Sequence, residues 1–159
     1  MDLKELENEI RVFFDAHCNI LQDCKQCGEC CRDNNIFLTL EEVEKIKNYT
    51  KREEKEFCKV IFNFGIPMIE MLKRGDECIF LQNKKCAIHE VKPLQCKIYP
   101  LTLVLPPPPK EKILRFKCRR KDGMCIEVES DKFRELKRKR EELLMLHYIR
   151  NIPEILSRF

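Results

Sequence analysis

Cys24-Lys25-Gln26-Cys27-Gly28-Glu29-Cys30-Cys31 places four thiols within eight residues. Neighbouring side chains this small, on an irregular loop, cannot all turn inward, so packing does not explain them. They make sense as thiolates converging on metal. A two-residue gap lets a tight turn aim successive sulfurs at one point, as in zinc knuckles and iron–sulfur loops. Gly28, inside the second gap, supplies the backbone freedom such a turn needs. The adjacent side chains of Cys30 and Cys31 diverge, which predicts that they serve two neighbouring sites. Two-cluster ferredoxins likewise send one cysteine of a closely spaced run to the other cluster.

Four more cysteines complete a set of eight. Cys78, Cys86, Cys96 and Cys118 lie beside short apolar runs, spaced too irregularly for zinc-knuckle pairs. Eight thiols are what two four-coordinate sites require, so Cys24, Cys27, Cys30, Cys31, Cys78, Cys86, Cys96 and Cys118 are the expected metal ligands. Cys18 and Cys58 sit among apolar residues of expected helices, where a thiol acts as a small hydrophobe. Cys125, seven residues after Cys118, is open to either role. Cys86-x-x-His89 has ligand spacing for a mixed Cys and His site. His17 and His147 fall on apolar helical faces and are expected to pack there.

The rest of the chain reads as α+β, a small metal-stabilised domain of short strands or hairpins flanked by terminal helices. Leu3, Leu6, Ile10, Phe13, Phe14 and His17 form one helical stripe before the cysteine loop. Ile36-Phe37-Leu38 suggests a strand, and Thr39 with Glu42 forms a capping box that opens a helix carrying Val43, Ile46 and Tyr49. The same device at Thr50 and Glu53 predicts a third helix through Val60, with a further short helix around Met68 to Leu72. Ile79-Phe80-Leu81 and Cys86-Ala87-Ile88 predict strands joined by a turn over Gln82-Asn83-Lys84-Lys85. Ile98 to Leu105 and Ile113 to Phe116 suggest another hairpin, with Pro106 to Pro109 as its stiff tip. From Ser130 the chain reads as a helix, basic at first and apolar later. The expected division is an N-terminal amphipathic helix over 1–22, a cysteine-cluster metal domain over 23–127 and a basic C-terminal helix over 128–159 packing on it.

Composition narrows the function further. With 36% charged residues, no Trp and no apolar run of membrane-spanning length, the chain reads as soluble and without a membrane role. The acidic opening Met1-Asp2-Leu3-Lys4-Glu5 is unlike a secretory signal, which predicts a cytoplasmic protein. In that compartment thiols stay reduced, and 11 cysteines, an odd number, do not read as a disulfide framework. The formal charge of +4 does not by itself point to nucleic acid. Lys25, Arg32, Lys85, Lys97, Arg119 and Arg120 stand next to cysteines, where they would offset thiolate charge. The basic run Lys132 to Arg140 reads as a solvated helix face, with docking to an acidic partner or RNA as the sharper alternative. Phosphate-binding glycine loops, nucleophile elbows and zincin motifs are absent from the sequence, so any activity must come from the metal.

Three blocks in order also resemble a known family. Cys24-x-x-Cys27-x-x-Cys30-Cys31, Cys78-Ile-Phe-Leu with Cys86-Ala-Ile-His-Glu-Val-Lys-Pro, and Gln95-Cys96-Lys-Ile-Tyr-Pro are similar to the CxxCxxCC family of zinc- or iron-chelating proteins (the YkgJ-type cysteine-cluster proteins). The resemblance spans roughly Cys24 to Cys118. It implies metal chelation, with iron–sulfur favoured, and no single activity. Family members commonly carry Tyr where this chain has His89 and Arg where it has Lys92, which argues against His89 as a ligand. The flagellin lysine N-methylases are similar in motif, which hints at methyl transfer. The expected function is thus a protein binding one or two iron–sulfur clusters of the [4Fe–4S] type, for electron transfer with a protein partner or within a modification enzyme. A structural zinc (Zn2+) module and a methylase-like component are the alternatives.

Overall fold

The capping box at Thr39 forms as its sequence dictates. Thr39 N–H donates to Glu42 Oε2 at 2.9 Å, and Glu42 N–H returns to Thr39 Oγ1 at 3.2 Å. The helix it opens, α2 (Leu40–Thr50), buries Leu40, Val43 and Ile46, the spacing of one helical face. The computed structural model describes residues 2–17, 28, 31–32, 34–97, 113–117 and 125–159. Cys18, Cys24, Cys27, Cys30, Cys118, the 98–105 run and the four prolines lie outside the described residues.

The helices expected over 53–60 and 68–72 are instead a hairpin. Thr50 accepts the Arg52 N–H at 3.3 Å but opens no α-helix. Its hydroxyl donates back to the Ile46 carbonyl at 2.8 Å, and Lys51 closes α2 in the left-handed region at φ 57°. Only a single 3-10 turn, Glu54–Glu56, follows. The chain then extends as β2 (Cys58–Asn63), turns at Phe64 and Gly65, both with positive φ, and returns as β3 (Ile66–Met71). Paired positive-φ residues match the right-handed twist of a hairpin. The β-branched and aromatic run Val60-Ile61-Phe62 suits a ladder better than a helix. The strand β1 (Phe37–Leu38) joins β3 on its other side, giving the antiparallel order β1-β3-β2. Its register, Phe37 opposite Glu70 and Leu38 opposite Ile69, stops short of Pro67. A proline at that end of the central strand therefore removes no donor from the β1 ladder.

Two miniature hairpins follow, β4 (Lys73–Arg74) with β5 (Glu77–Cys78) and β6 (Leu81–Gln82) with β7 (Lys85–Cys86). Asn83 and Lys84, both at positive φ, make the second turn where it was expected. A 3-10 turn over His89–Val91 leads into the short helix α3 (Leu94–Lys97). The strand expected at Ile113 to Phe116 is present as β8 (Ile113–Lys117). Its partner among the described residues is β9 (Cys125–Glu129), whereas the mate expected for it, 98–105, lies outside those residues. The helix α4 (Ser130–Arg150) continues the chain, and Asn151 and Pro153 break it before α5 (Ile152–Arg158).

The core forms where the sheet, α2, the hairpins and the C-terminal helices meet. Leu38, Val43, Ile46, Phe57, Ile69, Phe80, Ile88, Tyr148 and Ile155 are buried there. The Tyr148 hydroxyl donates to the Leu38 carbonyl at 2.8 Å, which satisfies its only polar atom and fixes α4 against β1. Glu54, almost buried, accepts from Arg158 and from Lys47, clasping α5 to the turn before β2. Of the expected stripe, Leu6, Ile10 and Phe13 of α1 (Leu3–His17) are buried and the side chains of Phe14 and His17 lie outside the described ones; α1 packs on α4, where Phe133 and Leu136 are buried. The result is a mixed α+β fold with short antiparallel sheets and helices at both ends.

Candidate metal centre

Cys31, Cys78 and Cys96 are buried in one apolar cluster, and the half-buried Cys86 packs against it. Three separate elements deliver them. Cys78 ends β5, Cys86 ends β7, and Cys96 lies within α3 and so belongs to a helix, not to a strand end. Cys31 follows a tight turn in which its N–H donates to the Gly28 carbonyl at 3.0 Å.

Two contacts tie the four-thiol loop to the hairpins. Gly28 has φ +76°, and a Cβ placed on it would stand 2.7 Å from Leu81 Cδ1 and 3.0 Å from the Lys84 carbonyl oxygen. Only a residue without a side chain lets the loop press this closely on the β6–β7 turn. Leu81 pairs with Cys86 across that hairpin, so the approach brings the loop toward the Cys86 strand. Arg32, next to Cys31, then reaches Glu77, next to Cys78, with Nε 3.1 Å from Oε1. The Cys78 sulfur itself lies 3.1 Å from Met71 Sδ.

Among the described residues, no three Cys, His, Asp or Glu side chains come together in a set able to hold a metal ion. Cys24, Cys27, Cys30 and Cys118 lie outside those residues, and of Cys125 only its place at the start of β9 is described. The donor chemistry still fits a thiolate-bound metal. Soft sulfur ligands suit zinc and iron–sulfur clusters alike. The apolar neighbours Ile36, Phe80 and Ile88 shield the described thiols from water.

Cys58 is the useful contrast. It lies in β2 and not in a helix, yet its environment is the one expected of a packed thiol. Buried, with Sγ donating to the Glu54 carbonyl at 3.3 Å, it is pushed up to about 12 by desolvation and by the Glu54 charge. A thiol held protonated in this way is a poor nucleophile. His89 begins a half-buried 3-10 turn. His147 does more than pack, because its Nε2 accepts the Leu40 N–H at 3.1 Å and so caps α2. That bond requires the neutral imidazole with its proton on Nδ1. Burial holds its pKa below the ordinary value, against the opposing pull of Glu41 and Glu154.

Of the cations expected to offset thiolate charge, Arg32 and Lys97 are engaged, and Lys25, Arg119 and Arg120 lie outside the described residues. Arg32 pairs with Glu77, and Lys97 Nζ lies 2.5 Å from Glu7 Oε1 of α1. Along α4, Lys132 and Lys139 both reach Glu9 and Glu135, Lys137 reaches Glu141, and Arg138 reaches Glu142. Arg140 departs from this pattern. It is half-buried, donates to Gln95 Oε1 at 3.1 Å, and is close enough to Glu42 and Cys96 to feel their charge. Gln95 is the buried clamp that sequence reasoning overlooked. Its Oε1 also accepts the Phe37 N–H at 3.0 Å, and its Nε2 donates to the Asn35 carbonyl at 2.7 Å. Its only sequence signal was its place before Cys96.

No solved structure matches this chain. It is 35% identical over 97 residues to an uncharacterised protein of Methanocaldococcus jannaschii. The match covers 58% of this chain and 52% of that relative, so the chain spans about half the length of the curated relative. A family model described as "Putative zinc- or iron-chelating domain" matches residues 23–141, from the residue before Cys24 to just past the middle of α4. The chain belongs to this CxxCxxCC family of metal-chelating domains.

Proposed function

We propose that the chain is an iron–sulfur protein whose thiols Cys24, Cys27, Cys30, Cys31, Cys78, Cys86, Cys96 and Cys118 hold one or two [4Fe–4S] clusters. The observation that carries this reading is the shared burial of Cys31, Cys78 and Cys96, with Gly28 of the four-thiol loop pressed on the hairpin that ends in Cys86. Residues far apart in sequence reach one cluster of the core, and the loop that joins them carries three further thiols. Such a group, when bound, supplies one-electron transfer.

The protein's own residues set the conditions around the thiols. Ile36, Phe80 and Ile88 keep water away, which favours a defined potential. Arg32 and Lys97, held by Glu77 and Glu7, steady the segments that carry Cys31 and Cys96 and leave little net charge beside them. An electron-exchanging protein is the partner this reading implies. The ion-paired basic residues of α4 support a solvated face more than a nucleic-acid surface. Structural zinc is the second reading, since an all-thiol set suits it equally.

Anaerobic purification with iron supplied, followed by metal analysis, visible absorption and a redox titration, tests the proposal. The expected result is bound iron and sulfide with broad visible absorption that bleaches on reduction. A colourless, redox-silent protein with stoichiometric zinc and no iron would overturn it.

A further inference from the structure

A cavity of about 600 Å³ opens between the segment after Cys31, the hairpin of β2 and β3, α3 and the middle of α4. Its size is that of a small-molecule site. Its polar lining is unusual in one respect: it offers donors that no described residue uses. Asn34 is 6% exposed, lines the cavity, and its Nδ2 has no hydrogen-bond partner. A buried amide left this way costs free energy comparable to a lost hydrogen bond, so native structures rarely retain one without a reason. Its terminal torsion is soft, and rotation presents the N–H groups to the cavity.

Arg140 lines the same cavity. Of its five donors, one is committed among the described residues, to the neutral Gln95. Its α4 neighbours Lys132, Lys137, Arg138 and Lys139 all pair with glutamates, whereas no carboxylate forms an ion pair with Arg140 among the described residues. Glu42 acts on it only at longer range, because its two oxygens are taken by the N–H groups of Thr39 and Leu94. Gln95 offers no further acceptor, because its Oε1 already accepts from both Phe37 and Arg140. The remaining wall is apolar: Phe37, Met68, Leu144 and Met145. Glu141 is the acidic residue of the lining; it pairs with Lys137 at 3.9 Å and, like Glu42, also acts on the Arg140 charge, so a single further negative charge is the most the site can balance.

We infer that this cavity binds a small organic monocarboxylate, its carboxylate held by Arg140 and Asn34 and its alkyl part lying on Phe37, Met68 and Leu144. One guanidinium and one neutral amide balance a single negative charge. A phosphate dianion would leave charge uncompensated in a half-buried site. The planar guanidinium also matches a carboxylate bidentately. Arg140 and Gln95 border a second cavity of about 580 Å³ toward α1, whose lining mixes Asp2, Glu7, Glu41 and Glu42 with Lys4, Lys45 and Arg150 and so does not single out an anion. The site lies between two expected ligands, since Asn34 follows Cys31 by three residues and Gln95 precedes Cys96. The inference does not depend on which metal those thiols hold.

The test is calorimetric titration of the full chain, metal content checked in each sample, with hexanoate, hexanol and hexyl phosphate as probes at neutral pH. Hexanoate is expected to bind saturably, and the other two to bind at least about tenfold more weakly, the size of one charged hydrogen bond. Arg140→Met should lower hexanoate affinity by about tenfold or more, while Arg138→Met, which alters an exposed ion pair, should change it less than about twofold. Asn34→Asp serves if Arg140→Met does not fold. It places a competing carboxylate beside Arg140 and should abolish hexanoate binding. Equal binding of hexanol, tighter binding of hexyl phosphate, no saturable hexanoate binding, or wild-type affinity in Asn34→Asp would each overturn the inference.

Discussion

Gly28 shows how one residue's chemistry decides whether a metal loop can reach its fold. Its φ of +76° lies in a region that L side chains avoid, and its missing Cβ leaves room for Leu81 and the Lys84 carbonyl. Alanine there meets both obstacles. Leu81 can rotate away, but the Lys84 carbonyl is backbone and the φ penalty remains, about 1–2 kcal/mol. Gly28→Ala is therefore expected to lower stability by about that amount and to reduce bound metal per chain, as read by denaturant unfolding and metal analysis. Wild-type metal content and stability in this variant would show that the close approach is not required. The residue was legible in sequence as the flexible point of the loop. Its partner was not, because Leu81 and Lys84 stand more than fifty residues away and no local pattern encodes that contact.

At the scale of elements, α2 is capped from both near and far. Thr39 and Glu42 supply the local cap, and His147 of α4 supplies the distant one through the Leu40 N–H. Because burial holds the His147 pKa below its ordinary value, the unfolded chain binds more protons than the folded one as pH falls below about 6.5. The stability that neutral His147 contributes is thus complete above that pH and is lost progressively below it. His147→Gln should cost about 1 kcal/mol near pH 7.5 and flatten the fall in stability between pH 7.5 and 5.5, as measured by urea denaturation. An identical pH dependence in variant and wild type would refute the cap. The local box was readable from Thr39 and Glu42 alone. The same pattern at Thr50 and Glu53 misled, because a capping signal only permits a helix, and the ladder between Val60 and Ile69 outweighed it. The hairpin turn also escaped notice because its first residue is Phe64, where Asn or Asp is the usual signal.

For the whole molecule, the question is how far the fold depends on its thiols. Cys58 and Cys96 are both buried and both sulfur, yet they stand in different settings. Cys58 is protonated and satisfied by the Glu54 carbonyl, so Cys58→Ala should cost only about 1 kcal/mol and leave metal content unchanged. Cys96→Ser should lose metal and, with it, cooperative unfolding, because ligation free energy of about 10 kcal/mol or more exceeds the stability of a typical domain. Full metal retention in Cys96→Ser, measured beside Cys58→Ala, would remove Cys96 from the ligand set.

The sequence by itself determined the chemistry of this protein and its local starts and stops. Clustered thiols with two-residue gaps, the Thr39 box, the Leu6-Ile10-Phe13 stripe and the Asn83-Lys84 turn all depend on neighbours within a few positions. Only the tertiary structure decided that Cys58 belongs to a strand, that β8 pairs with β9, that His147 caps a helix more than one hundred residues earlier, and that Gln95 and Arg140 meet beside an unpartnered Asn34. Each of these rests on a contact between segments distant in the chain. Spacing rules carry no information about such contacts, because burial and pairing are properties of the packed whole.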